Sequence, residues 1–221
     1  MAFVDTPDIA QEDGAGQDSR KREQIMRGAS QVFLEKGFDA ASMNDIARAA
    51  GVSKGTLYVY FANKERLFVE LISSEKREEL FRIVTLDFEN HNVEAVLKKF
   101  GRELCEILTK PYYIKAMRSV FSIINRMPEI GVEFYSNGPL LCTELLAKYL
   151  DAQTKAGVLD IEDCLLAAQQ FVELSQSGVM RSVLFGVIDT PNAAEIARRV
   201  DSAVVVFMRS YRAQQAVSTA G

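Results

Sequence analysis

Residues 42–61 read SMNDIARAAGVSKGTLYVYF, and the order of small and polar residues in them decides the fold of the amino-terminal part of the chain. Ser42 stands three residues before Asp45, a capping pair. The hydroxyl can accept a first-turn N–H while the carboxylate suits the positive end of the helix. The helix so started, Met43 to Ala50, turns Ile46, Ala47 and Ala50 inward, and its two alanines allow a second helix to approach closely. Gly51 supplies a tight turn between crossed helices, and Ser53 is placed to cap the next one. In the helix that follows, Leu57 and Phe61 face inward with Val52, while Lys54, Thr56, Tyr58, Val59 and Tyr60 are left outside.

An exposed face of one lysine, two tyrosines, a threonine and a valine is unusual for a helix that meets only water. Tyrosine and threonine hydroxyls suit phosphate oxygens, and an apolar valine suits a thymine methyl. Gly55 costs helix propensity but lets another backbone come close. The pattern predicts a helix-turn-helix that binds duplex DNA, with Ser42, Asn44, Ser53, Lys54, Gly55, Thr56, Tyr58, Val59 and Tyr60 as contacts. The blander reading is a structural helical hairpin with surface tyrosines. Arg20 and Arg22, with Lys21, open the preceding helix, where the dipole disfavours positive charge. Phosphate contact explains that cost, as does pairing with nearby acids. Lys64 is a similar phosphate candidate.

The charge distribution agrees with this face. The 221 residues carry a net charge of −4, which taken alone speaks against nucleic acid. Residues 1–19, however, hold five acids and no base, and residues 20–66 hold nine Lys/Arg against five Asp/Glu. A basic segment on an acidic chain is the electrostatic footprint of a modular DNA binder.

Outward from this segment the chain reads as helix, with no sustained period-two alternation. Residues 1–18 are expected to be a disordered acidic tail. Ile25, Ala29, Val32 and Phe33 mark the first helix, from Ser19 to a cap at Gly37. Another helix starts near Asn63. Later helices are expected near 92–109, 111–126, 129–156, 161–186 and 191–213, with Pro111, Pro128 and Pro191 at their starts, Gly157 as a cap, and a kink at Gly138-Pro139. The expectation is an all-α fold of about nine helices. A helix-turn-helix domain spans 19–66, and a larger helical bundle for ligand sensing and dimerisation spans 67–221.

The stretch GFDAASMNDIARAAGVSKGTLYVYFANKERLF closely resembles the DNA-binding domain of the tetracycline-repressor (TetR) family, in register over residues 20–68. The resemblance implies a homodimer of all-helical subunits whose carboxy-terminal domain senses a small molecule. By matching position, Ser42, Lys54, Thr56, Tyr58, Tyr60 and Lys64 look like the family's DNA contacts. Ala41 and Val59 stand where many members carry Thr and His, so relatives do not give the operator. Residues 129–213 are similar to the AefR-like branch, through FYSNGPLLCTELLAKYLDAQTKAGVL, AAQQFVEL and VDSAVVVFMRSYR.

For the second domain, Phe88, Phe100, Cys105, Phe121, Ile124, Met127, Phe134, Tyr135, Cys142 and Phe171 are expected to line a mostly apolar pocket, joined by Met180, for a hydrophobic or amphipathic effector. Arg118, Asn125, Arg126 and His91 are possible polar anchors. Helix 161–186 is apolar on most sides, with Phe171, Ser175, Gly178 and Ser182 at close spacing. Helix 191–213 carries Val200, Val204, Phe207 and Tyr211 on one stripe. These two helices are expected to meet their symmetry mates in a four-helix dimer interface; the alternative is that they line the protomer's own core.

Other classes are poorly served. No apolar run reaches the ~18–20 residues that span a bilayer, and no secretory signal opens the chain, so a cytoplasmic protein is expected. Three scattered cysteines make neither a disulfide framework nor a CxxC metal site, and no cofactor or metal is expected. An enzyme built on His91 with Cys105 or Cys142 lacks any motif. A redox sensor on the cysteines remains an alternative signal for the same DNA-binding head.

Overall fold

The computed structural model describes residues 10–71 and 86–213, and it is all-helical over them save for one isolated bridge between Leu159 and Arg212. They fall in two compact units, Met1–Ile72 and Ser73–Gly221. The first unit thus extends past the expected boundary at residue 66, because Leu67 and Phe68 belong to its core: the Phe68 ring lies 5.0 Å from Phe33 and 4.9 Å from Phe38.

In the first unit, α1 runs Ala10–Ala40, starting well before Ser19. The expected disordered tail is therefore helical from Ala10, and residues 1–9 lie outside the described residues. Ala, Gln and Glu in this stretch are good helix formers, and acids near a helix start are favoured by the dipole. At Gly37 the helix breaks, as expected: its φ of 75 and ψ of 173 are non-helical, though not those of a left-handed cap, and a short second helical piece follows to Ala40. Helix α2 is Met43–Ala50, α3 is Lys54–Tyr60, and α4 covers 64–71.

Gly28 governs how α1 meets α2. A Cβ added there would lie 2.5 Å from the Ala50 nitrogen and 2.7 Å from its Cα, so only glycine fits. Ile25 and Ala29 of α1 then bury completely against a core that includes Ile46 and Leu57.

The second unit contains α5 (Val93–Leu108), α6 (Pro111–Ile123), α7 (Pro128–Tyr135), a π-helical segment (Ser136–Leu140), α8 (Leu141–Lys155), α9 (Cys164–Gln176), α10 (Val179–Leu184) and α11 (Ala193–Tyr211). Pro111 and Pro128 open α6 and α7 as expected, and Gly157 follows α8 at φ 74. The Gly138-Pro139 kink takes the form of the π segment, since proline can donate no hydrogen bond to the preceding turn. The expected single helix over 161–186 is broken at Ser177-Gly178, where Gly178 has φ 77.

The core of this unit corrects the expected dimer interface. Phe171, Ser175, Val200, Val204 and Phe207 are at most 1% exposed within the protomer itself. Phe100, Phe171, Phe207 and Tyr211 form a ladder of rings with centroid separations of 6.3, 5.5 and 4.8 Å. Gly101 admits close packing here, since a Cβ on it would meet Val200 at 2.8 Å and Ser175 at 3.3 Å. The small residues and apolar stripes thus join α5, α9 and α11 of one chain. Of the remaining candidates, Gly178 is exposed, while Ser182 and Tyr211 are half-buried, with the Tyr211 hydroxyl donating to Gln170 Oε1 at 2.6 Å.

Candidate nucleic-acid interface and a cavity in the second unit

The helix-turn-helix is capped as its sequence requires. Ser42 Oγ accepts the Asp45 N–H at 3.1 Å and donates to Asp45 Oδ2 at 2.7 Å. That bond, with Lys36 3.0 Å away, holds the Asp45 carboxyl below its usual range. Gly51, at φ 62 and ψ 37, closes α2 and turns the chain. Ser53 Oγ accepts the Thr56 N–H at 3.0 Å and shares a hydrogen bond with the Thr56 hydroxyl at 2.7 Å. Gln24 donates to the Ala50 carbonyl at 2.6 Å and so ties α1 to the turn, a contact that no sequence motif announces.

With Leu57 fully buried, α3 presents Lys54, Gly55, Tyr58 and Val59 to solvent, and Val59 is 82% exposed. Asn44 and Ser42 are exposed on α2 and its cap, and Arg20 on α1. Among the described residues, its chain neighbours and own helix backbone aside, the one atom within 4 Å of a Cβ added at Gly55 is Ser53 Oγ at 3.8 Å, and its φ is not positive, so none of them demands glycine there. A glycine without an internal reason, on an exposed helix, fits clearance for something outside.

Three expected contacts are engaged elsewhere. Lys64 Nζ donates to the carbonyls of Phe38, Ala41 and Asp39 at 2.7, 3.0 and 3.3 Å and lies 4.4 Å from the Phe38 ring centroid. Its donors close the end of α1, where free carbonyls attract a cation, so it is a clamp rather than a phosphate ligand. Arg22 makes a two-pronged pair with Glu70, with Nε 2.7 Å from Oε1, and lies over the Phe61 ring. The Tyr60 hydroxyl donates to Asp18 at 2.6 Å, which raises its pKa and uses the proton a phosphate would need.

In the second unit a cavity of about 520 Å³ opens between α5, α6, the π segment, α8 and α9. Of the expected pocket residues, Tyr135 and Cys142 line it, as does Met180. The others lie elsewhere. Phe100 and Phe171 are in the ring ladder, Cys105 Sγ donates to the Ser175 carbonyl, and Phe134 packs on Tyr113 with centroids 6.1 Å apart. Phe88 packs on Tyr149, Phe121 is 55% exposed, and Ile124 lies across Gly131. Met127 stands just before α7, with no side-chain hydrogen bond to its first turn. Instead the lining is Leu104, Leu108, Tyr113 and Met117, the backbone turn at Gly138-Pro139, Thr143, and the α9 face Gln169, Val172, Glu173 and Gln176. The Gln-Gln and Glu spacing on α9 was visible in the sequence, but an outward polar stripe reads as solvated surface until α8 is placed beside it.

The other expected polar anchors do not reach the cavity. His91 Nδ1 lies 2.8 Å from Gln153 Oε1; since Gln153 Nε2 donates to the Phe88 carbonyl, the histidine is the donor. Arg118 donates to the carbonyls of Val183 and Leu184. Burial pushes the Cys105 thiol up to about 12 and also raises Cys164, so neither is primed as a thiolate. Among the described residues no group of His, Cys, Asp and Glu could hold a metal ion, and no helix is long and apolar enough to cross a membrane.

Known proteins resemble the chain along both units. Residues 25–71 match the family of bacterial regulatory proteins of the tetR type, and residues 95–213 match the AefR-like transcriptional repressor carboxy-terminal domain. The regulator UidR of Escherichia coli K12 is 25% identical over 191 residues, covering 82% of this chain and 87% of its own. A TetR-family regulator from Mesorhizobium loti superposes with a TM-score of 0.81 at 29% identity, covering 88% of this chain and 98% of that one. The flavonoid-responsive regulator FrrA gives 0.75 at 31% identity, covering 89% of this chain and all of FrrA. With the capped helix-turn-helix at one end and an AefR-like domain matched over more than half its length, the chain belongs to the TetR family of transcriptional regulators.

Proposed function

We propose that the protein is a cytoplasmic homodimeric repressor that reads a palindromic operator with α3 and leaves it when a small molecule occupies the second-unit cavity. The observation that carries this reading is the outward face of α3: Lys54, Gly55, Tyr58 and Val59 are exposed, with Lys54 Nζ 6.0 Å from the Tyr58 ring centroid on the same face. Two such helices in a symmetric dimer enter successive major grooves about 34–36 Å apart, so the operator is two half-sites one helical turn, or a multiple of it, apart. The cavity volume lies within the ~300–1,000 Å³ of small-molecule sites, and a relative described as flavonoid-responsive supports a small effector. An effector that prefers one spacing of the two recognition helices shifts the dimer toward it and weakens DNA binding by that difference.

With the ring ladder buried in each protomer, the dimer forms through the other sides of the same helices: Leu165, Leu166 and Gln170 on α9, Val205, Val206 and Arg209 on α11. The four apolar members of this set are 43–48% exposed. Selection from a random duplex pool followed by footprinting tests the whole reading. A palindromic footprint is expected, bound by a species that sediments as a dimer. An asymmetric single half-site bound by a monomer contradicts it.

A further inference from the structure

The lining of the second-unit cavity restricts its occupant more than the volume does. Among the described residues no Lys, Arg or His lines it, whereas Glu173 does, and Glu173 has no ion-pair partner among them. Arg181 shares a neighbouring surface recess with Glu173 but does not line the cavity. An anionic ligand would lose water and meet a like charge with no cation among the described lining residues.

The Thr143 hydroxyl points the same way, and Gln176 keeps an acceptor in the same lining. Thr143 Oγ1 has given its proton to the Pro139 carbonyl at 2.9 Å, so toward a ligand it can only accept. Gln176 has placed one N–H on the Val172 carbonyl at 3.2 Å, which leaves its second N–H and, as an acceptor, its Oε1. Pro139 lies in the π segment, so the irregular turn that widens the cavity also fixes the Thr143 hydroxyl. Around these acceptors stand two tyrosine rings and the soft side chains Met117 and Met180, which suit a flat aromatic body. We propose that this cavity takes an aromatic ligand that bears hydrogen-bond donors and no negative charge, an inference that rests on reading the cavity as the effector site.

Calorimetric titration of the full chain with three probes on one body tests it: 4′-hydroxyflavone, its 4′-methyl ether and the 4′-carboxylate. The hydroxy probe should bind at least tenfold more tightly than the ether, and the carboxylate most weakly, with Glu173→Gln narrowing the gap between carboxylate and ether. Equal affinity of phenol and ether, or a carboxylate that binds as well as the phenol, overturns the ligand class. So does failure of all three to bind. Met180→Trp, which fills the cavity, separates this from the underlying reading, provided its melting curve stays cooperative; Gln176→Trp serves if it does not. Phenol binding that survives filling places the ligand elsewhere and overturns both. A reversed order of probes that filling still abolishes overturns the class and leaves the cavity standing. If no probe binds, a dodecanol titration with the same filling variant decides the cavity alone.

Discussion

Two glycines in the first unit look alike in the sequence and do opposite work. Gly28 is required from within, because any Cβ strikes the Ala50 backbone. Gly28→Ala should lower unfolding free energy by about 1–3 kcal/mol, the usual cost of overpacking, read as a reduced denaturant midpoint. Gly55 has no such neighbour. Gly55→Ala should leave stability unchanged or raise it by up to about 1 kcal/mol through helix propensity, while weakening DNA binding. An affinity unchanged in Gly55→Ala would remove the argument for close backbone approach. Sequence alone marks both positions as costly and cannot say which cost has an internal cause. Lys64 carries the same lesson: its spacing from α3 fits a phosphate contact, but its charge is spent on the end of α1. At Cys105 the thiol pKa is raised from about 9 to about 12, so unfolding releases a proton above pH 9. Stability should therefore fall as pH rises from about 9 toward 12, and more steeply than in Cys105→Ala; parallel pH profiles of the two proteins would count against a buried thiol.

At the scale of elements, caps and turns were legible because their chemistry is local. Ser42, Gly51, Ser53, Pro111 and Pro128 each do in the structure what their residue type requires. Helix continuity and partners were not. An all-round apolar helix at 161–186 must be buried on most sides, yet periodicity is the same whether the neighbour is α11 of the same chain or a second copy. The break after Gln176 was hidden because glycine is tolerated inside helices, and only its φ of 77 reveals the turn. Gly178→Ala should then cost about 1–2 kcal/mol, the penalty of a side chain in the left-handed region, seen as a lower melting temperature. A melting temperature raised by that change would mean that α9 and α10 join into one helix. The pocket was missed for a related reason: large aromatic residues announce burial in the core, whereas this cavity is walled by leucine, methionine and tyrosine side chains, a polar stripe of α9 and a π turn.

For the whole molecule, two compact units separate the tasks. The basic segment sits in the first, and the acidic second unit holds the core, the cavity and the proposed dimer face. In the second unit Val206→Glu puts a charge on an exposed α11 position outside the ring ladder. It should leave the melting temperature of the protomer within a few degrees while shifting sedimentation toward monomer, and an unchanged dimer would move the interface elsewhere. DNA binding by α3 is measured by anisotropy with a selected operator duplex between 50 and 200 mM salt, comparing the native chain with Tyr58→Ala and Lys54→Ala. Affinity should fall linearly in log–log form with salt, with a slope shallower by about one for Lys54→Ala, and Tyr58→Ala should bind at least tenfold more weakly. Binding that is indifferent to salt and to both substitutions would contradict recognition by α3.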